Sequence, residues 1–395
     1  MFKVVSRRLS RQTLRNVLGV LSVVSGIYLL YIWRLGTLTP GLSLSESAAR
    51  QLSSKLGYIS DNPINAPLRL LQYLAQNLGH HGAFYMRFAS VVFMMIFVIC
   101  LYLLLKTWFG RLIGFFGTLL MIGTPWFILM ARSATGTVML LAPLAIIASF
   151  LWLTSSKKQP RLAWVTLVCV CAISLYIPGL VWFTLAAGLM RRRELLANLK
   201  QNGPIVISLS AILAIAIIVP LVLAISRDLS IVKQLLLIPN HWQGVIGSLK
   251  SIAWSVLALF WHTPYHIDMI IGRLHLLSIT QVALAAIGVY AMWINARKET
   301  YSLLAILAAS IIFSGLNANL ELLTLAILAV CIFATAGLRY LYVEWRGVFP
   351  RNPIPKVLAL SLIGLVIGVH LMLGVRYSLI AWPHTTATHS LYVIK

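Results

Sequence analysis

The sequence predicts an all-helical, polytopic integral membrane protein, and three observations predict it. Of 395 residues, 60% are apolar and only 10% charged, where a soluble domain carries roughly a quarter charged residues. Mean hydropathy is +0.91. Apolar runs close to the roughly 20 residues that cross a bilayer as a helix recur along the chain. Together these exclude a disordered chain, a disulfide-rich secreted domain and a soluble nucleic-acid binder, despite a formal net charge of +24. No nucleic-acid partner is expected. The four cysteines, Cys100, Cys169, Cys171 and Cys331, all lie inside apolar runs, where they fill space as small hydrophobes and form no disulfide framework or zinc cluster.

In chain order, the first element is a basic N-terminus (Lys3, Arg7, Arg8, Arg11, Arg15) before an apolar run from Val17 to Trp33, which reads as a signal anchor. Further spans are expected near 86–106, 112–130, 137–154, 162–176, 178–190, 204–225, 278–294, 302–315, 322–337 and 357–375, about eleven in all. Basic connections recur at every second turn: Lys106 with Arg111, Lys157 to Arg161, Arg191 to Lys200, Arg297 with Lys298, and Arg339 to Lys356. Because Lys and Arg are retained in the cytoplasm, these lie inside, giving an N-terminus inside and a C-terminus outside in a plasma-membrane protein. The short pair around Tyr176-Ile177-Pro178-Gly179 decides the orientation of everything after it.

This topology sends two long connections, 35–84 and 226–277, to the outer face of a single transmembrane domain covering 1–395. Long ordered loops tend to be functional. In the first, Ala48, Leu52 and Leu56 recur at helical spacing and predict an amphipathic surface helix; Leu68 to Leu74 predicts a second. In the second, Ile231 to Ile238 and Ile252 to Phe260 predict helices dipping into the interface beside Trp242, Trp254, Trp261 and Tyr265.

Each outer acid (Glu46, Asp61, Asp228, Asp268, Glu321) is informative, because a charge beside hydrocarbon is costly. A carboxylate there can deprotonate a hydroxyl or amine, and Arg or Lys can hold a lipid-linked phosphate. The first outer loop begins Thr39-Pro-Gly-Leu-Ser-Leu-Ser-Glu-Ser-Ala48 and continues Asp61-Asn-Pro-Ile-Asn-Ala-Pro67; Met86-Arg-Phe-Ala-Ser90 enters the second span. Phe109-Gly-Arg111 and Gly123-Thr-Pro-Trp-Phe-Ile-Leu-Met-Ala-Arg132 follow.

This order of features resembles the GT-C superfamily of polytopic glycosyltransferases, particularly its protein-mannosyltransferase and aminoarabinose-transferase-like branch, over about the first 155 residues. The resemblance implies inverting transfer of a sugar from a polyprenyl-phosphate-linked donor to an extracytoplasmic lipid, glycan or protein acceptor, with an acid of the first outer loop as base. Where the family commonly has Asp-Glu, this chain has Ser45-Glu46. Glu46 is therefore the catalytic candidate, with Asp61 beside it. Arg132 and Arg87, with His262, His266, Asp268 and Arg273, are candidate substrate and lipid-phosphate contacts.

Each has a plainer role to set against this. Glu46 can pair with Arg50 at i, i+4, Asp61 can cap a turn, Arg132 can snorkel to headgroups and Arg87 can anchor a span end. His262-Thr-Pro-Tyr-His266-Ile-Asp268 has ligand-like spacing and leaves a divalent cation open as cofactor, although Pro264 interrupts any helix that would align the three. Two other readings stand beside a glycosyltransferase. One is a catalytically silent GT-C-like protein, to which Ser45 points. The other is a transporter or flippase, which would place ionisable groups near the bilayer midplane.

Overall fold

A computed structural model describes residues 25–78, 82–155, 159–239, 242–265, 268–348, 353–392 and 394. The basic N-terminus, the first half of the expected first span, His80, His81, His241 and His266 lie outside the described residues. Helix α1 (25–32) leads into α2 (Leu44–Leu52), α3 (Leu56–Asp61) and α4 (Ala66–Asn77), then α5 (Ala83–Phe109), α6 (Arg111–Ile122), α7 (Pro125–Ala131), α8 (Pro143–Ser155) and α9 (Pro160–Ser174). Next come α10 (Leu180–Met190), α11 (Arg192–Gln201), α12 (Pro204–Arg227), α13 (Ser230–Leu235) and α14 (Gly244–Phe260). The chain continues through α15 (Ile279–Asn295), α16 (Arg297–Asn317), α17 (Thr324–Val348) and α18 (Pro353–Val375) to α19 (Thr386–Leu391). Among the described residues there is no strand, only isolated bridges joining Leu42 to Ile394 and His262 to Leu274.

Helix α17 is the axis of the bundle. It packs on α15, α16, α6 and α18, and Ala326, Ile327, Cys331, Phe333 and Ala334 along it are buried. Its approach to α15 is close enough to need glycine: a Cβ on Gly288 would collide with the Phe333 carbonyl, and one on Gly337 with that of Leu284. Small residues at such crossings let helix backbones touch, which is how helices associate in lipid. Helix α12 is the opposite case, with 11% of its apolar window buried against 89% for the span that contains α17. Ile205, Ile212 and Ile215 point out of the protein, as a lipid-facing helix requires.

The structure corrects several expectations about the spans. Six helices are long and apolar enough to cross a membrane by length and composition among the described residues, seven if one bent pair counts as a single span. That pair is the expected straight span 112–130: α6 and α7 meet at 71°, because Pro125 has no N–H to give and cannot continue α6. The expected spans at 162–176, 178–190 and 278–294 form α9, α10 and α15, of 15, 11 and 17 residues. An 11-residue helix is about 16 Å long, short of a hydrocarbon core of about 30 Å, so the count of eleven is not established.

The connections expected on the outer side do gather together. Asn65 N–H donates to the Tyr176 carbonyl, Gly179 N–H to Leu235, and the Tyr265 hydroxyl to Ala318. Opposite them, Arg339 donates to the Trp108 carbonyl at 2.8 Å, joining two connections expected inside. In the second long connection α13 and α14 form where the apolar pieces predicted helices. Ile252 and Ser255, in the middle of α14, meet Gly315 and Ser314 in the last turn of α16, so α14 crosses the end of that span.

The first long connection is helical as expected, but its helices are rolled. The stripe Ala48, Leu52, Leu56 is split between α2 and α3 by Ser53-Ser54-Lys55, and Leu44, Leu56 and Tyr58 face outward. The face turned to the protein is polar instead: Ser43, Glu46 and Ser53 on the α2 side, with Gln72 and Gln76 on α4, are buried. Leu70 and Leu74 of α4 are exposed.

Candidate active site

The site is built where α2, the connector after α7, the 268–277 segment and the segment after α18 converge. Its centre is Glu46. Ser43 caps α2, accepting from Glu46 N–H at 3.2 Å while its own N–H donates to Glu46 Oε2 at 3.3 Å. This reciprocal capping box fixes the third residue of the helix and turns Glu46 into the protein, where it is 1% exposed. Arg87, in the first turns of α5, meets it with two parallel bonds, Nε to Oε1 at 2.9 Å and Nη2 to Oε2 at 2.6 Å. Ala134 N–H donates to Oε1 at 2.9 Å.

Glu46 thus accepts four hydrogen bonds, which fills the four lone-pair positions of a carboxylate. Arg87 spends its remaining donors on the Leu35 and Gly41 carbonyls, each at 3.0 Å. The expected partner Arg50 is not used. The ion pair reaches 41 residues along the chain instead of four, because the capping box points Glu46 inward while Arg50 stays at the surface. Arg87 ties the first loop to α5 and is more than a span anchor.

Arg132 does not snorkel. It is 6% exposed and donates to the carbonyls of Leu30, Tyr31 and Trp33 at 2.7–3.0 Å, the groups left open at the C-terminal end of α1. Burial, with Arg87 close by, pulls its pKa down to about 10. Glu46, Arg87 and Arg132 line one cavity with Ser133, Met269, Trp382 and Tyr392. Its volume is about 10 Å³, room for a single water.

Asp268 reaches the same place from the second long connection. Its Oδ2 accepts from Ser45 Oγ at 2.8 Å, and its carbonyl accepts from Trp382 Nε1 at 2.9 Å. Among the described residues Oδ1 has no hydrogen-bond partner, and the side chain is half-buried. Tyr392 lies over the Arg87 guanidinium at 5.7 Å and edge-on to Trp382. Burial, then the charges of Glu46 and Asp268, raise its pKa well above the ordinary tyrosine range, against the opposing pull of Arg87 and a hydrogen bond with Ser43. It is a neutral phenol at any physiological pH.

Two short runs of hydroxyls complete the polar floor. Ser43 and Ser45 are 2.8 Å apart and lead to Asp268. Ser133, Thr135 and Thr137 are linked at 3.0 Å each and lead to the side chain of Glu321, which also feels the charge of Asp268. Sequence reasoning singled out Ser45 only as a replaced acid and missed the other hydroxyls and Tyr392. The signal for the second run was Ser133-Ala134-Thr135-Gly136-Thr137, in which hydroxyls alternate with small residues leading into the short 3-10 helix Gly136–Leu141.

The other candidates do not join this group. Asp61 is exposed and pairs with Arg227 at 3.4 Å across the surface. Asp228 folds back on Ser230, whose N–H and hydroxyl lower its pKa. The His262 ring stacks edge-on to Trp254 at 5.1 Å, Arg273 is exposed, and His266 lies outside the described residues. Among the described residues no three His, Cys, Asp or Glu side chains converge on a metal position.

Two solved structures share this architecture. ArnT from Cupriavidus metallidurans in the apo state matches with a TM-score of 0.60 at 13% identity, covering 95% of this chain and 78% of that one. ArnT from the same organism bound to undecaprenyl phosphate matches with a TM-score of 0.57, again at 13% identity, covering 95% and 76%. The chain has an ArnT-like fold. No family model and no curated protein sequence matches it, so the likeness lies in the arrangement of helices and not in the residues. In this ArnT-like fold the first loop is clamped to the bundle by Glu46 and Arg87, and Asp268 is the acid left half-open on the polar floor.

Proposed function

We propose that the protein is a membrane glycosyltransferase. It takes a sugar from a polyprenyl-phosphate-linked donor and passes it, with inversion at the anomeric carbon, to a hydroxyl or amine of an extracytoplasmic acceptor. The observation that carries this reading is the ArnT-like fold across 95% of the chain, one of the two ArnT structures being bound to undecaprenyl phosphate. The polar floor adds support. It is assembled by the connections that the positive-inside rule puts outside, and a lipid-linked donor would present its headgroup there while its prenyl chain lies along the outward-facing leucines of α2–α4. Under this reading the N-terminus is cytoplasmic and the polar floor extracytoplasmic.

The test is transfer by the purified protein in lipid nanodiscs, offered radiolabelled polyprenyl-phosphate aminoarabinose, mannose and glucose with lipid, glycan and peptide acceptors. Label moving from one donor to an acceptor is the expected result. No transfer from any donor, together with no binding of undecaprenyl phosphate, overturns the proposal. The saturation of Glu46 favours a second reading, a silent scaffold that keeps the fold, and the outcome expected there is carrier binding without transfer.

A further inference from the structure

We infer that Asp268 is the proton acceptor of the reaction, brought to the site by the last long connection and aimed by Ser45, while Glu46 is a positioning residue. The inference rests on the glycosyl-transfer reading and names the base within it.

Geometry eliminates the alternatives one by one. Glu46 has no lone pair left for an incoming proton, with two bonds from Arg87 and one each from the Ala134 and Ser43 backbones. Moving its charge would also strand a guanidinium that is 3% exposed, a cost of several kcal/mol. Asp61 and Asp228 lie on the surface, occupied by Arg227 and Ser230. Glu321 sits inside the apolar span Leu320–Gly347 and, among the described residues, lacks the pair of distant anchors that Ser45 and Trp382 give Asp268. Asp268 combines a half-buried position on the polar floor with two anchors from distant parts of the chain and an oxygen, Oδ1, that lacks a partner among the described residues.

Its surroundings hold it as a base must be held. Ser45 fixes Oδ2 and Trp382 fixes the main chain at the same residue, two anchors from parts of the sequence more than a hundred residues away on either side. With one oxygen pinned, the other has a defined direction. Ser45 stands at the position where the resembled motif carries an acid, and a carboxylate from 223 residues away returns to within hydrogen-bond distance of it. The chemistry has moved from one connection to another while staying in one place.

The step balances without a co-reactant. The acceptor oxygen bonds to C1 of the donor sugar as its proton passes to Asp268 Oδ1. The C1–O bond to phosphate breaks, and the polyprenyl phosphate leaves with the electron pair. Asp268 then returns its proton to water, to which its half-exposed position gives access.

The experiment compares wild type, Asp268→Asn, Asp268→Glu and Ser45→Ala in nanodiscs with whichever labelled polyprenyl-phosphate sugar the wild type uses. Asp268→Asn is expected to lower kcat by about 10²–10⁴-fold, the usual worth of a general base, with donor KM and undecaprenyl-phosphate binding unchanged. Asp268→Glu restores part of the rate and shifts the acid limb of the pH–rate profile. Ser45→Ala, which keeps the acid but frees its aim, lowers kcat by about tenfold, the scale of a lost orienting hydrogen bond. Ser45→Ala also decides the matter if Asp268→Asn fails to fold. Turnover by Asp268→Asn or Ser45→Ala at the wild-type rate overturns the inference while leaving glycosyl transfer intact. A wild type that transfers nothing overturns both.

Discussion

The first long connection and the second each bring a carboxylate to the same polar floor, and the fold treats them in opposite ways. Glu46 sits in the first turn of a capped helix, is 1% exposed and meets an arginine with two matched bonds. Asp268 sits on irregular backbone, held by one serine and one tryptophan, with one oxygen without a partner among the described residues. A saturated, enclosed ion pair organises structure, and an under-coordinated acid at the edge of solvent does chemistry. The acid nearest a recognisable motif is therefore not the one best placed to react.

This contrast can be broken by experiment, and the largest effect belongs to the clamp. Glu46→Ala leaves Arg87 buried without a counter-charge and is expected to cost about 3–5 kcal/mol of stability, read as a lower unfolding temperature and lower yield in detergent. Combining it with Arg87→Met is expected to cost less than the sum of the two single changes. Strict additivity would mean that the pair does not act as a unit.

Next is Arg132→Met, which strips the end of α1 of three donors and is expected to cost about 2–3 kcal/mol while leaving carrier binding in place. A selective loss of undecaprenyl-phosphate affinity without a stability change would instead make Arg132 a phosphate contact. Asp268→Asn preserves shape and the Ser45 bond, so its stability is expected to stay within about 0.5 kcal/mol of wild type, the reverse of Glu46→Ala. The smallest effect is expected for Asp61→Asn, which removes an exposed ion pair worth about 0–1 kcal/mol and leaves transfer unchanged at both low and high salt.

What the sequence made legible was whatever depends on near neighbours. Hydropathy found the helices, and the alternation of basic connections sorted the loops that the structure brings together. The break at Pro125 was readable from residue type, yet the apolar run on both sides concealed it. Hydropathy also passed both α12 and α17 as spans without telling which of them faces lipid, since lipid tails and neighbouring helices are equally apolar. The side to which α2 turned was hidden because its capping box, not its leucines, set the rotation. Glu46 therefore paired with Arg87 instead of Arg50. Contacts such as Ser45 with Asp268, or Thr137 with Glu321, depend on how the bundle closes, which no local pattern encodes.

The hydroxyl runs of the floor carry one more consequence. In the run Ser133–Thr135–Thr137 either oxygen of each contact can be the donor, whereas Ser45 commits its one proton to Asp268. The Ser133–Thr137 run can thus reverse its polarity by rotating O–H bonds alone, with no backbone shift. A surface of this kind can offer protons to one sugar ring and lone pairs to the next. Such a lining would tolerate changes in stereochemistry at single carbons, so discrimination between epimers would have to come from the shape of the walls.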